Sequence, residues 1–159
     1  MNIIIKVLLI FGIALTDILS KISIMRYLKT MPGYTKNITD FFDLVYTWNF
    51  GMSFGLFHEY HKYSNIAFTI FNSAIVSFIC YLLFQARSKL EIFGYGFIAG
   101  GAIGNLYDRI FNGAVFDFLY FHLYTYDFPV FNLADSFVSL GVALLVWQHF
   151  ILQNKKSSQ

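Results

Sequence analysis

Residues 63–85 read YSNIAFTIFNSAIVSFICYLLFQ, twenty-three positions without one charged side chain. At about 1.5 Å per residue, a helix of that length spans the roughly 30 Å of a bilayer's hydrocarbon. The same texture recurs on both sides. Ile3 to Met25 is apolar but for Lys6, Asp17 and Lys21. A third stretch, about 92–110, has an uncharged, glycine-rich body from Ile92 to Tyr107, and a fourth, about 128–153, carries Asp135 as its only formal charge. The whole chain of 159 residues is 57% hydrophobic and only 13% charged, against about 25% charged in soluble domains. These features predict a mainly α membrane protein, a single domain over 1–159 with four transmembrane helices.

Ile3 to Leu15 has the length of a secretory leader's apolar core. No small-residue cleavage site follows it, so it reads as a retained first span. Between spans one and two, about 26–62, Pro32-Gly33 signals a turn, and Leu44 to Asn49 is rich in β-branched and aromatic residues. This predicts a small extramembrane β element after the first helix, with Phe41, Phe42, Tyr46 and Trp48 suited to the headgroup level. Lys6, Arg87, Lys89, Lys155 and Lys156 fall on one side of a four-span plan, and Arg26, Lys29, Lys36, Lys62 and Arg109 on the other. Four spans put both termini on one side. The Arg87/Lys89 loop and the Lys155-Lys156 tail favour the cytoplasm for that side.

Composition also excludes classes. A net charge of +2, with no basic run interleaved with aromatics, does not suit nucleic acid. The single cysteine, Cys80, permits no internal disulfide and no cysteine metal site. His58 and His61 flank Glu59, while His122 and His149 stand isolated, so no metal is expected. No cofactor-binding motif is present. Gly96, Gly100 and Gly104, with Gly101 beside them, suit close helix packing within the chain, with homodimerisation as the alternative.

The chemistry concentrates in three patterns: Gly104-Asn105-Leu106-Tyr107-Asp108-Arg109, Gly113-Ala114-Val115-Phe116-Asp117-Phe118 and Phe131-Asn132-Leu133-Ala134-Asp135. If spans three and four are antiparallel neighbours, Asp117 and Asp135 reach the same membrane face. Two close carboxylates share a proton, so one member can activate water while the other polarises a carbonyl. A buried pair that pins two helices, or a proton path, fits the same spacing. Asn49, Asn105 and Asn132 lie near that face and suit either substrate binding or capping. Asp108-Arg109 suits a structural pair, or an arginine fork on a phosphate or peptide carbonyl. Asp17 and Lys21 are four apart and share a helix face, which reads as a helix-end anchor. A proton-coupled transporter and a non-enzymatic assembly factor remain as competing classes at this point.

Several of these boxes, in this order, resemble the bacterial lipoprotein signal peptidases, or signal peptidase II. The likeness runs from Asp17 with Lys21, through Asn49-Phe50-Gly51 and Ser53-Phe54-Gly55, Gly100 to Asn105, Asp108-Arg109 and Gly113 to Phe118, to Phe128 through Asp135. The resemblance implies an aspartic endopeptidase that cuts prolipoproteins before a diacylglyceryl-modified cysteine, with Asp117 and Asp135 as the catalytic pair. It implies that Asn49, Gly51, Asn105, Arg109 and Asn132 line the substrate site, and that Asp17, Lys21 and Asp108 support it. It further implies a monomer in the inner membrane among its lipids, with cytoplasmic termini, an active site near the outer face, a β element lying on the membrane, and sensitivity to globomycin. Two departures stand out. Met52-Ser53 replaces the two alanines usual between Gly51 and Phe54, which bears on substrate and inhibitor fit. Leu119-Tyr120-Phe121 lacks an acid often found two residues after Phe118.

Overall fold

A computed structural model describes residues 2–51 and 61–157. Four helices, α1 (Ile3–Leu28), α2 (His61–Gln85), α3 (Lys89–Asn112) and α4 (Leu133–Ser157), carry one small sheet. Lys6, early in α1, meets the end of α2, and Ser88 and Glu91 at the start of α3 meet Gln148 late in α4. Helices consecutive in the chain therefore run antiparallel. The departure residues Met52 and Ser53, with His58 and Glu59, lie outside the described residues.

Three helices, α1, α2 and α4, are long and apolar enough to cross a bilayer. The third, α3, has the length, about 36 Å for its 24 residues, but its glycines and Asn105 dilute its apolar character. Its position supplies the reason. It packs on all three other helices and buries Gly94, Gly96, Ile98, Ala99, Gly100, Gly101 and Gly104 against them. A helix covered by protein needs little lipid-compatible surface. A Cβ built on Gly100 would stand 2.6 Å from the Ile13 side chain of α1, and one on Gly101 would stand 2.5 Å from the Ala134 carbonyl oxygen of α4. The glycine stripe thus lets two neighbouring helices close in on α3.

Helix ends follow local chemistry. Ser88 caps α3: its hydroxyl accepts from the Glu91 amide, and the Glu91 carboxylate accepts from the amides of Ser88 and Arg87. Gly113 ends α3 at φ 76°, the left-handed conformation that glycine adopts without strain. The last helix begins at Leu133, later than the expected 128, because Pro129 and the Asn132 cap stop the aromatic run Phe128–Phe131 from joining it. Lys6 is buried inside the helix bundle, where its ammonium donates to the carbonyls of Leu83 (2.9 Å), Phe84 (3.2 Å) and Ala86 (2.9 Å). It neutralises the negative end of α2 from another helix.

The β element differs from the expectation. Four antiparallel strands lie in the order β1 (Thr35–Thr39), β2 (Phe42–Asn49), β3 (Val115–Leu123), β4 (Tyr126–Asp127). Only half of the sheet follows α1; the other half comes from the segment between α3 and α4. Pairing of β2 with β3 sets Thr47 opposite Asp117 and Asn49 opposite Val115. A core of Leu28, Phe116 and Phe118, flanked by Tyr46, Trp48 and Leu133, joins the sheet to the helix ends. Tyr46 and Trp48 place their rings 5.0 and 5.5 Å from that of Phe116, and Phe42 stacks on Phe121 at 4.6 Å. Of the four aromatics expected at a headgroup surface, Phe41 is the one left exposed. His122, expected to stand alone, pairs with Asp43 at 3.2 Å.

Candidate active site

The two aspartates arrive from different elements. Asp117 sits on β3, between Phe116 and Phe118, whose side chains anchor the strand in the core. Asp135 sits in the first turn of α4. There Asn132 and Asp135 cap each other: the Asp135 amide donates to Asn132 Oδ1 (3.1 Å), and the Asn132 amide donates to Asp135 Oδ2 (3.1 Å). Position in a helix's first turn favours a carboxylate through the positive end of the helix dipole.

No hydrogen bond joins the two carboxylates directly; amides stand between them. Asn132, fully buried, donates through Nδ2 to Asp117 Oδ1 at 2.6 Å and to Asn105 Oδ1 at 3.1 Å. Asn105 Nδ2 donates to Asp135 Oδ1 at 2.8 Å. Asn49, two residues beyond Thr47 on β2, donates to Asp117 Oδ2 at 3.0 Å and accepts from the Gly51 amide at 2.8 Å. Each aspartate is therefore held by two N–H donors. Burial, together with the negative charge of Asp135, raises the Asp117 carboxyl from the usual 3.8 to about 6, against the lowering effect of its amide donors.

Behind the aspartates lies a buried charge cluster. Lys21 forms ion pairs with Asp17 at 2.8 Å and Asp108 at 3.1 Å, and donates to Asn105 Oδ1 at 2.9 Å. Asp17 accepts from the Ala134 amide of α4 at 2.8 Å, and Asp108 accepts from the Phe116 amide at 3.1 Å and from Asn112 at 2.9 Å. One ammonium thus fastens α1 to α3, while its two carboxylate partners hold the backbone beside each candidate catalytic acid. Charges this deep persist only when paired.

Arg109 is different. It is buried, its guanidinium lies 5.3 Å from the Phe68 ring centroid, and its Nε and Nη1 have no hydrogen-bond partner among the described residues. Gly51, at φ 82°, packs so close that a Cβ there would stand 2.6 Å from the Phe68 ring and 3.2 Å from Arg109 Nη1. A side chain at position 51 would intrude on the space that the guanidinium faces.

The sequence-expected residues thus fall into one connected region: Asn49, Gly51, Asn105, Arg109, Asn132 and the two aspartates, with Asp17, Lys21 and Asp108 behind. Three contributors went unnoticed in the sequence. Phe68 lies beneath Arg109, Asn65 donates to the Arg109 carbonyl at 3.2 Å, and the Ala134 amide meets Asp17. Nothing in their local sequence signals these contacts, which join separate helices. Among the described residues no three metal-ligating side chains converge.

Comparison with known proteins places these residues in company. A family model described as signal peptidase (SPase) II matches residues 9–151. The chain is similar to the lipoprotein signal peptidase of Rickettsia bellii, 47% identical over 142 residues that cover 89% of this chain and 72% of that one. It is similar also to that of Rickettsia prowazekii, 46% identical over 142 residues, 89% of this chain and 73% of the other. Among solved structures, a bacterial membrane enzyme determined in meso at 1.9 Å superposes with a TM-score of 0.73 at 25% identity, over 92% of both chains. A second, at 2.3 Å, superposes with a TM-score of 0.76 at 24% identity, over 99% of this chain and 93% of that one, and agrees in fold.

Proposed function

Because the chain belongs to the signal peptidase II family, and is thus a membrane peptidase of the kind that removes signal peptides from prolipoproteins, we propose that it cuts before a diacylglyceryl-modified cysteine with Asp117 and Asp135 as its catalytic acids. The observation that carries this reading is the two carboxylates held on either side of one buried amide, Asn132. That arrangement fixes both acids without joining them.

In this reading the ionised aspartate takes a proton from water as the water oxygen bonds to the carbonyl carbon. The protonated aspartate gives its proton to the carbonyl oxygen, and a tetrahedral diol forms. Its collapse breaks the C–N bond, and the leaving amine takes a proton from the dyad. No acyl-enzyme forms. Trapping one on Asp117 or Asp135 would exclude the scheme. Asn49, Gly51, Asn105, Asn132 and Arg109 line the substrate site, where the Arg109 donors that lack a partner among the described residues serve a substrate carbonyl; a buried donor gains most from a partner that arrives with the substrate. Asp17, Lys21 and Asp108 support them.

The lipid-modified substrate enters sideways from the bilayer, so that its acyl chains stay in hydrocarbon while the peptide bond reaches the polar pocket. With α3 counted as the fourth span, both termini lie in the cytoplasm. The aspartates and the sheet then lie at the outer face of the inner membrane, and the chain works as one domain and as a monomer.

The test is cleavage of a diacylglyceryl-modified prolipoprotein peptide by the purified protein in detergent, beside Asp117→Asn and Asp135→Asn. Cleavage by the wild type, lost in both folded variants, is expected. Cleavage that survives in either variant would remove that residue from the mechanism. A folded wild type that fails to cleave would return the transporter reading.

A further inference from the structure

Arg109 is a buried cation near two carboxylates, and it pairs with neither. It sits in the last turn of α3, where the negative charges of Asp117, Asp135 and Asp108 all act on it. The ion pairs among the described residues are those of Lys21 with Asp17 and Asp108 and of His122 with Asp43; Arg109 joins none of them. Its Nε and Nη1 also lack a hydrogen-bond partner among the described residues. A buried guanidinium free to turn would close on a carboxylate, because charge-assisted bonds are the strong ones and an empty buried donor is costly. A restraint holds it back, and α2 supplies it.

Asn65 and Phe68 lie three residues apart and share a face of α2. Asn65 Nδ2 donates to the Arg109 carbonyl oxygen at 3.2 Å, which fixes the level of one helix against the other. One turn on, the Phe68 ring centroid lies 5.3 Å from Arg109 Cζ, within reach of a cation–π contact. Asn65 Oδ1 has no partner among the described residues, and residues 65–85 hold no charged side chain, so the negative face of the ring is the hold of α2 on the cation. Gly51 closes the corner. A Cβ there would meet Phe68 Cδ2 at 2.6 Å, Phe68 Cε2 at 2.8 Å and Arg109 Nη1 at 3.2 Å, so its backbone packs on the ring and the guanidinium together. From Gly51 the contacts run on to the dyad: its amide donates to Asn49 Oδ1 at 2.8 Å, and Asn49 Nδ2 donates to Asp117 Oδ2 at 3.0 Å.

We propose that Phe68 is a positioning residue for the peptidase reaction: its ring and the Gly51 backbone bracket the Arg109 guanidinium, keep it off Asp117 and Asp135, and hold its donors ready for a substrate carbonyl. The ring acts through Arg109. The charged groups around the guanidinium are Asp117 on β3, Asp135 on α4, Asp108 on α3 itself, and the Asp17–Lys21 pair of α1 behind them. Asp108 is already taken up by Lys21, Asn112 and the Phe116 amide, and Asp17 by Lys21 and the Ala134 amide. The two candidate catalytic acids are therefore the carboxylates that a released guanidinium would join. That union would have two effects. The substrate would lose its donor, and the opposite charge would lower the pKa of the acid it joins by about 1–3. The inference rests on the peptidase reading, which wild-type cleavage tests separately.

The experiment measures kcat, KM and the pH dependence of kcat/KM for cleavage of a diacylglyceryl-modified prolipoprotein peptide by the full-length protein in detergent. Wild type is compared with Phe68→Leu, Arg109→Gln and the double variant, with thermal unfolding recorded for each. Leucine keeps an apolar side chain and removes the ring face. In Phe68→Leu, KM should rise about tenfold, the scale of one hydrogen bond from a charged donor. Its pH profile, which reports the acids of the free enzyme, should move about one pH unit lower. In the Arg109→Gln background the same substitution should change neither quantity, since no guanidinium is left to release. Phe68→Tyr, which restores a ring face, should recover most of the loss. A ring that served only as packing would lower the unfolding temperature and leave KM and the profile of the folded enzyme in place, or would shift them equally with and without Arg109. Either result would overturn the proposal. If Phe68→Leu does not fold, Phe68→Met takes its place in the same comparison. A folded wild type that does not cleave removes the peptidase reading and this inference with it; a wild type that cleaves beside an unaltered Phe68→Leu removes the inference alone.

Discussion

Adding one methyl group at residue 104 tests the link between the buried charge cluster and the turn that carries Asp135. A Cβ on Gly104 would stand 3.0 Å from Asp17 Cγ and 3.2 Å from Asp17 Cβ, and would overlap its Oδ2. Asp17 cannot yield freely, since it pairs with Lys21 at 2.8 Å and accepts from the Ala134 amide at 2.8 Å. Two terms oppose each other. Alanine is favoured over glycine within a helix by about 0.5–1 kcal/mol. Overpacking a filled site costs about 1–3 kcal/mol, and loosening a hydrogen bond to a charged group costs a further 1.5–3 kcal/mol. The second pair of terms wins, so Gly104→Ala should destabilise the protein by about 1.5–5.5 kcal/mol. Activity should fall further than stability, because Ala134 immediately precedes Asp135, and a displacement of about 1 Å at a reacting group lowers rates about 100-fold. Gly12 supplies the control. It lies on α1 with nothing within 4 Å of a built Cβ, so Gly12→Ala should be neutral or slightly stabilising with full activity. The assays are thermal unfolding in detergent and peptide cleavage at saturating substrate. If Gly104→Ala matched Gly12→Ala in both, Asp17 would not be holding the start of α4 in place, and the reasoning would fail.

Other outcomes follow from the same contacts. Lys6→Met leaves three carbonyls at the end of α2 without their cation, so unfolding should be easier by at least about 2 kcal/mol, while the folded fraction keeps its turnover number. Asp117 has a folded value of about 6 against an ordinary 3.8, so its contribution to stability is fully present below pH 4 and is lost as pH rises through 6. At about 1.4 kcal/mol per pH unit, this amounts to as much as about 3 kcal/mol, and chemical denaturation of Asp117→Asn should lack that decline. Asn132→Ala removes the amide shared by both acids; cleavage should drop at least about 100-fold, and a variant that retained wild-type kcat would contradict its bridging position.

Much of this molecule is legible in its sequence because hydrophobic runs and short spacings are local signals. Residues 63–85 announce a span by charge alone, and Asp17 and Lys21 announce a pair by their four-residue separation. Failures came where an apolar run had two possible fates. Phe128–Phe131 reads as the start of the last span, yet Pro129 and the Asn132 cap hold it out of the helix as backbone that pairs with β3. Val115–Leu123 has the aromatic and β-branched content of a strand, but its partner β2 lies two helices earlier in the chain, so no local signal joins the two halves of the sheet. The links of Lys21 to Asn105 and of Asp17 to Ala134 span 84 and 117 positions. No spacing rule reaches that far. Only packing of α3 against its neighbours brings them within bonding distance.

The buried lysine near the start of α1 bears on how such a chain enters a membrane. Its three acceptors, the carbonyls of Leu83, Phe84 and Ala86, are translated about eighty residues after it. Until they arrive, a positive charge on the first span has no partner inside the bilayer and is stable only at the water interface. In the proposed orientation, with this end of α1 in the cytoplasm, the partners reach it only when α2 has crossed and returned its end to the same side. In that orientation Lys6 would oppose passage of α1 while it is alone, and it fastens the α1–α2 hairpin once the second arm is in place.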